Sequence, residues 1–197
     1  MVKSNLYLKR RHIYIPNQQL NIMVNKDLTW AIAKAKDWKN YLPPTRPSIS
    51  ELAVIEKYIL QGIRKNPSKK LKVAILGCTI EFRNLLHKHS MDVTCIDISE
   101  MHYKILSKQQ MTYKGPEKLI IKDWRQIKSN SKYDMVLGDL VFNMLNTHDR
   151  NLLLKNIKSI LKKDGVFVSR SWIKIPSMPK NFREAVKVAR KNFPSVN

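Results

Sequence analysis

Asp97 ends the strand-like run VTCI at residues 93–96, and it stands twenty residues after Gly77, which ends the apolar run VAIL at residues 73–76. In a parallel sheet those two positions lie at neighbouring carboxyl strand ends. An acid there can accept hydrogen bonds from both ribose hydroxyls of an adenosine-containing ligand. Gly77 opens the loop GCTIEFR, in which a glycine lets the backbone turn closely under a ligand and the next helix offers unpaired N–H groups. A dinucleotide fold would need G-x-G-x-x-G to bring a pyrophosphate against that helix. This loop has one glycine, places Thr79 and Phe82 where the others would stand, and adds Glu81, whose carboxylate would repel a pyrophosphate. The residues therefore disfavour NAD and FAD and favour an adenosine cofactor without phosphates.

The elements that must position these residues alternate in period. Strands are expected over residues 72–76, 92–97, 118–122, 133–138 and 165–171, with helices over 81–89, 99–109 and 148–162 between them, an α/β pattern that predicts a parallel sheet with crossover helices. Ser99 and Thr147 suit N-caps, and the run Lys162, Lys163, Asp164, Gly165 reads as a basic last turn with a glycine stop. About ten residues separate the third and fourth strands, so an irregular turn is expected there in place of a helix. Upstream, the run LTWAIAKAKDW reads as a helix capped by Asp27 with Leu28, Ile32 and Ala35 on one face, and Ser48 with Glu51 forms a capping box opening a second helix to about Arg64. A short strand over residues 12–15 and a C-terminal helix from the Asn181…Glu184 box, carrying Phe182, Val186, Val188 and Ala189, complete the reading. The boundaries that follow are a helical N-terminal extension with lid helices over residues 1–66 and a core over 67–197.

These segments resemble the Rossmann-like, class I S-adenosylmethionine-dependent methyltransferases. ILGCTIEFRNLL is similar to a divergent form of their glycine-rich first motif, VTCIDIS to the second-strand acidic motif and KLIIKDW to the third; YDMVLGDLVFNML resembles the fourth strand and its loop, and IKSILKKDGVFV the segment before the fifth. The resemblance spans about residues 71–172 and rests on five weak motifs in the right order. Trp38 and the run YLPPTRPS at residues 41–48 resemble the lead-in that closes over the cofactor in some small methyltransferases.

The resemblance implies a three-layer Rossmann-like fold and S-adenosylmethionine as cofactor. It implies that Gly77 and the Cys78 and Thr79 backbone approach the methionine part, that Asp97 takes the ribose hydroxyls and that Ile98 packs on the adenine. Asp123 would take the adenine amino group, Trp124 would stack on or flank the ring, and Gly138 and Asp139 would line the pocket beside the sulfonium. Two departures stand out. Ile75 occupies the place where the family often has an acid that anchors the methionine amino group, and no terminal β-hairpin fits after Trp172, leaving about five strands. No catalytic residue is assigned; Asp139, His148 and Tyr41 are candidates for a base by location alone.

The loop from Asp139 to Phe142 lacks the paired prolines of amino-methylating nucleic-acid enzymes, and the Lys-Asp-Lys-Glu set of RNA ribose methyltransferases would be met only in part by Asp139 and Arg170. A small-molecule acceptor is the first expectation. The net charge of +22 keeps a nucleic-acid acceptor open, as well as a catalytically degenerate protein that binds the cofactor or RNA. Against that, 27 of the 37 basic residues are lysines scattered through the chain, as a compositional bias alone would give, with local clusters at residues 9–11 and at Lys69, Lys70 and Lys72. No run is apolar enough to span a bilayer, no secretory signal pattern opens the chain, and two cysteines make no disulfide framework, so a cytoplasmic protein is expected. His87 and His89 lie two apart and face different ways on their helix, so they make no metal site, and Cys78 and Cys95 read as small buried thiols. An uncovered sheet edge makes a homodimer an expectation as well.

Overall fold

The computed structural model describes residues 32–109, 111–128 and 132–173, with positions 181, 183–184, 186–187 and 191 beyond them. The Asp27 cap, the strand over 12–15 and the basic cluster at 9–11 lie outside the described residues. Five strands, β1 (Lys72–Leu76), β2 (Asp92–Asp97), β3 (Glu117–Ile121), β4 (Tyr133–Asp139) and β5 (Leu161–Arg170), form one parallel sheet in the order β3-β2-β1-β4-β5. Strand β1 is central, and its last four residues, Val73 to Leu76, are apolar and buried, as a strand covered on both faces requires, with Lys72 exposed at its start. Its side chains alternate, so Val73 and Ile75 join one core and Ala74 and Leu76 the other.

Helices α1 (Ile49–Lys65), α2 (Ile80–Lys88), α3 (Glu100–Ser107) and α4 (Thr147–Ile160) cover the faces. On one face Ile55 and Ile59 of α1 and Phe82, Leu85 and Leu86 of α2 pack with Val73, Ile75 and Cys95; on the other, Leu153, Ile157 and Ile160 of α4 pack with Leu76, Val136 and Ile96. The capping box at the head of α1 forms as the sequence predicts, with Ser48 Oγ accepting from Glu51 N–H and the Glu51 carboxylate accepting from Ser48 N–H. Ser99 caps α3 by accepting from His102 N–H. At α4 the cap is Asn146, one residue before the expected Thr147, because the Asn146 carboxamide reaches Asp149 N–H.

Two expectations are corrected at the end of α4. The helix stops at Ile160 without the basic last turn and glycine expected at residues 162–165. Strand β5 starts at once with Leu161 opposite Tyr133, and the register then jumps so that Val166 faces Met135. Residues 162–165 bulge out of the ladder, and Gly165 is needed there because a Cβ would come within 3.1 Å of the Lys162 backbone. Among the described residues between β3 and β4 the chain makes one short 3₁₀ turn, Trp124–Gln126. At the far end, Asn181 Oδ1 accepts from Glu184 N–H at 3.0 Å and residues 183–184 and 186–187 are helical, in keeping with the expected cap; Phe182, Val188 and Ala189 lie outside the described residues.

The strand order reverses between β1 and β4: from β1 the chain first moves outward through β2 and β3, then returns to β4 on the other side. The loops at the carboxyl ends of these two strands therefore diverge and leave a crevice, where open α/β sheets bind ligands.

Candidate functional site at the carboxyl ends of the strands

Gly77 leaves β1 with φ +99°, in the region that favours glycine, and its N–H donates to Ile96 O at 2.7 Å, tying the ends of β1 and β2. The same carbonyl accepts the indole N–H of Trp124 at 2.7 Å, and a Cβ at Gly77 would stand 3.7 Å from that ring. Trp124 is thus brought against the Gly77 loop. Its backbone is fixed in turn by Asn156 Nδ2, which donates to Trp124 O.

Asp97 is buried at the end of β2. Its Oδ1 accepts from Ser99 N–H at 2.8 Å, while Oδ2 lies 3.2 Å from Cys78 Sγ and 3.1 Å from His102 Nδ1. Each carboxylate oxygen can accept more than one hydrogen, so these contacts leave capacity for a hydroxyl. Ile98, next in the chain, is half exposed at 50%, an apolar side chain free to cover a ring. Burial first, and then the charge of Asp97, push the Cys78 thiol far above its ordinary range, and burial pushes Cys95 up to about 12, so neither is a nucleophile at neutral pH.

Asp123 follows β3, whose end is tied to β2 by Lys122 N–H donating to Asp97 O at 2.9 Å. Its carboxylate accepts from Arg125 N–H and pairs with the Arg125 guanidinium at 2.6 Å, while Arg125 also reaches Asp149 of α4. Burial alone would raise the Asp123 carboxyl, but Arg125 outweighs it and holds the group below the usual carboxylate range. The side chain is therefore a turn cap and ion-pair partner, and it orients Arg125 as much as it offers itself to an adenine.

At the other side of the crevice Thr79 Oγ1 donates to Asp139 Oδ2 at 3.0 Å, and Arg170 from the end of β5 holds Asp139 Oδ1 at 2.7 Å. Burial still leaves the Asp139 carboxyl above its ordinary value despite Arg170 and Thr79. Gly138 is a packing glycine: a Cβ would meet Val141 at 2.9 Å and Ser169 at 3.1 Å. Of the candidate bases, Asp139 is engaged on both oxygens, His148 is exposed in the first turn of α4, and Tyr41 packs edge-on against Trp38.

Sequence reasoning missed what holds the lead-in segment. Arg170 donates to the carbonyls of Pro44 (2.6 Å), Thr45 and Arg46 (both 3.2 Å), which pins residues 44–46 over the ends of β4 and β5. Glu81 does the same over the glycine loop, its Oε1 accepting from Trp38 Nε1 at 3.1 Å and pairing with Arg46 at 2.6 Å. Its other oxygen, Oε2, is buried with no hydrogen-bond partner among the described residues. A second cluster also went unread. Arg83, 1% exposed, pairs with Glu117 and donates to Ser107, and Tyr103 and His87 converge on the same carboxylate. The signal was present in the sequence, since Arg83 and His87 occupy adjacent turns on the core side of α2.

Comparison with known proteins bears on this arrangement. Residues 75–169 match the family described as "Methyltransferase domain", a span that runs from within β1 to the penultimate residue of β5. Among solved structures the chain is similar to the TehB-like SAM-dependent methyltransferase from Corynebacterium glutamicum, at 19% identity and TM-score 0.50, over 83% of this chain and 82% of that one. It is similar also to the N-methyltransferase NodS from Bradyrhizobium japonicum in complex with S-adenosyl-L-homocysteine, at 16% identity and TM-score 0.51, over 73% and 70%. The PH0226 protein from Pyrococcus horikoshii aligns at 20% identity and TM-score 0.47 over 68% of this chain, and the chain spans 64% of that protein's length. No curated protein sequence matches. The likenesses fix the fold, which is the five-stranded parallel arrangement expected from the sequence.

Proposed function

We propose that the chain is a class I S-adenosylmethionine-dependent methyltransferase that transfers a methyl group from S-adenosylmethionine to a small-molecule acceptor, a reading supported by the methyltransferase-domain match over residues 75–169 and by the five-stranded parallel sheet. The observation that carries the reading is the unpartnered Oε2 of Glu81. A buried carboxylate oxygen without a donor costs on the order of 1–3 kcal/mol or more, so it calls for a cationic or N–H partner that the described residues do not supply. The methionine ammonium of the cofactor is such a partner. Glu81 would then replace the acid that Ile75 does not provide, from the other side of the Gly77 loop. Asp97 would accept the ribose hydroxyls with its remaining capacity, Ile98 would cover one adenine face, and Trp124, fixed at the end of β2, would flank the other.

The cofactor supplies an activated sulfonium methyl, so the protein's part is alignment and exclusion of water. The strap at residues 44–46 closes the ends of β4 and β5, and Thr79, Asp139 and Arg170 brace that wall. A mouth narrowed in this way suits a compact acceptor, which supports the small-molecule reading. The +22 charge favours a second reading, a nucleic-acid acceptor, in which lysines outside the crevice bind phosphates.

The test is isothermal calorimetry with S-adenosylhomocysteine on the wild type and Glu81→Gln. Wild-type binding at one site per chain, weakened about tenfold or more by Glu81→Gln, is expected, because hydrogen bonds to charged groups contribute roughly 1.5–3 kcal/mol. Equal affinity in the two proteins would remove Glu81 from the site.

A further inference from the structure

Among the described residues one group of side chains brings three different metal-binding atoms to a point: Cys78 Sγ from the loop after β1, Asp97 Oδ2 from the end of β2 and His102 Nδ1 from the first turn of α3. The three separations are 3.2 Å (Sγ to Oδ2), 3.4 Å (Sγ to Nδ1) and 3.1 Å (Nδ1 to Oδ2). Hydrogen bonding accounts for two of them. The thiol and the Nδ1–H can each donate to Asp97, but the Sγ to Nδ1 approach then has no proton left to share. A single cation in the middle would satisfy all three at once.

We propose that Cys78, Asp97 and His102 form a three-ligand site for a zinc ion, with the fourth tetrahedral position open to solvent. Tetrahedral zinc with bonds of about 2.0–2.3 Å spaces its ligands about 3.3–3.6 Å apart, the edges to sulfur being the longer, so the edges of the triangle need to open by about 0.2–0.4 Å. A thiolate, an imidazole and a carboxylate make a borderline-soft set, which selects zinc over magnesium or calcium. The outer contacts already orient the ligands: Ser99 N–H occupies Asp97 Oδ1 and leaves Oδ2 turned toward the other two, and Ser99 Oγ holds His102 N–H and so the turn that presents the imidazole. Binding would release the Cys78 thiol proton to solvent and leave the His102 proton on Nε2. The carboxylate that disfavours a thiolate in the free protein then shares the positive ion with it. His102 is the accessible member, its side chain 19% exposed against 8% for Asp97, and it gives the ion its way in.

A zinc ion here would occupy the same Asp97 oxygen that the proposed function assigns in part to the ribose, so metal and cofactor would compete. That part alone rests on the ribose reading. The experiment uses the chelator-treated full chain, titrated with zinc chloride against a chromogenic chelator, and with cobalt(II) as a spectroscopic stand-in. One zinc per chain and a thiolate-to-cobalt charge-transfer band are expected. Cys78→Ser should remove the band, and Cys78→Ser and His102→Gln should each weaken zinc by more than the roughly 10–100-fold that loss of an outer partner costs. His102→Gln alters a partly exposed side chain and keeps the fold testable if Cys78→Ser does not, with circular dichroism as the check. Cobalt bound without the thiolate band, or zinc affinity unchanged in both variants, would overturn the site. Excess S-adenosylhomocysteine is expected to weaken zinc about in proportion to its own occupancy. Zinc bound as described and indifferent to bound S-adenosylhomocysteine would uphold the metal site and remove Asp97 from the ribose.

Discussion

Glu81 ties the lead-in segment to the Gly77 loop through Trp38 and Arg46. In the sequence its carboxylate only excludes a pyrophosphate from the Gly77 loop; in the fold it also anchors Trp38 and Arg46 and keeps one oxygen without a hydrogen-bond partner among the described residues. Nothing local announces those partners, because they stand 43 and 35 residues away and are joined only by the tertiary fold. Asp97 was legible because its meaning depends on strand position alone, and strand ends can be read from apolar runs. Asp139 was legible as a crevice residue but not as the anchor of Arg170, which holds the strap. Arg170→Ala should therefore loosen residues 44–46 and leave Asp139 buried with one partner fewer. We expect a loss on the order of 3 kcal/mol in urea unfolding, with hydrogen exchange at Thr45 and Arg46 rising more than at β1.

At the scale of elements, the strands and helices could be read to within a few residues because each carries its own period and caps. The end of α4 could not. Its stop depends on Leu161 pairing with Tyr133, a contact between distant segments, and the glycine that looked like a helix stop serves the bulge instead. Gly77 joins element to site: Gly77→Ala puts a Cβ at φ +99° and against Trp124, with a loss of about 1–2 kcal/mol expected in the melting temperature analysis and a larger relative loss of cofactor affinity. The cluster that links α2, α3 and β3 gives a pH signature. Burial would raise the Glu117 carboxyl, but Arg83, Tyr103 and His87 outweigh it and hold the group below its usual 4.5. A depressed carboxyl contributes stability that is fully present above the unfolded value and is lost as pH falls through the folded one. Arg83→Met leaves burial in control and reverses the sign: urea midpoints should fall by an amount equivalent to about 3–5 kcal/mol at neutral pH, and the deficit should shrink on acidification through 4.5. A deficit independent of pH would place the effect in packing alone.

For the whole molecule, the sheet order sets the crevice and the +22 charge sets its surroundings. The sequence gives the amount of charge but not its purpose, because scattered lysines carry the same composition whether or not they meet phosphates. Salt decides between the two acceptor readings. A small-molecule enzyme should show S-adenosylhomocysteine affinity and turnover that change little between low and moderate salt, with RNA binding that is weak and no aid to methylation. A nucleic-acid enzyme should lose RNA affinity by orders of magnitude over the same range, with turnover falling alongside.

In the proposed complex the adenosine of S-adenosylmethionine sits at the carboxyl ends of β1 and β2 with its ribose on Asp97. Calorimetric titration of S-adenosylhomocysteine into the wild type and Asp97→Ala tests it most directly. One site per chain is expected in the wild type and binding weakened by at least about tenfold in Asp97→Ala, with the two proteins equally folded by circular dichroism. Absence of binding to the wild type, or equal binding to both, would contradict it.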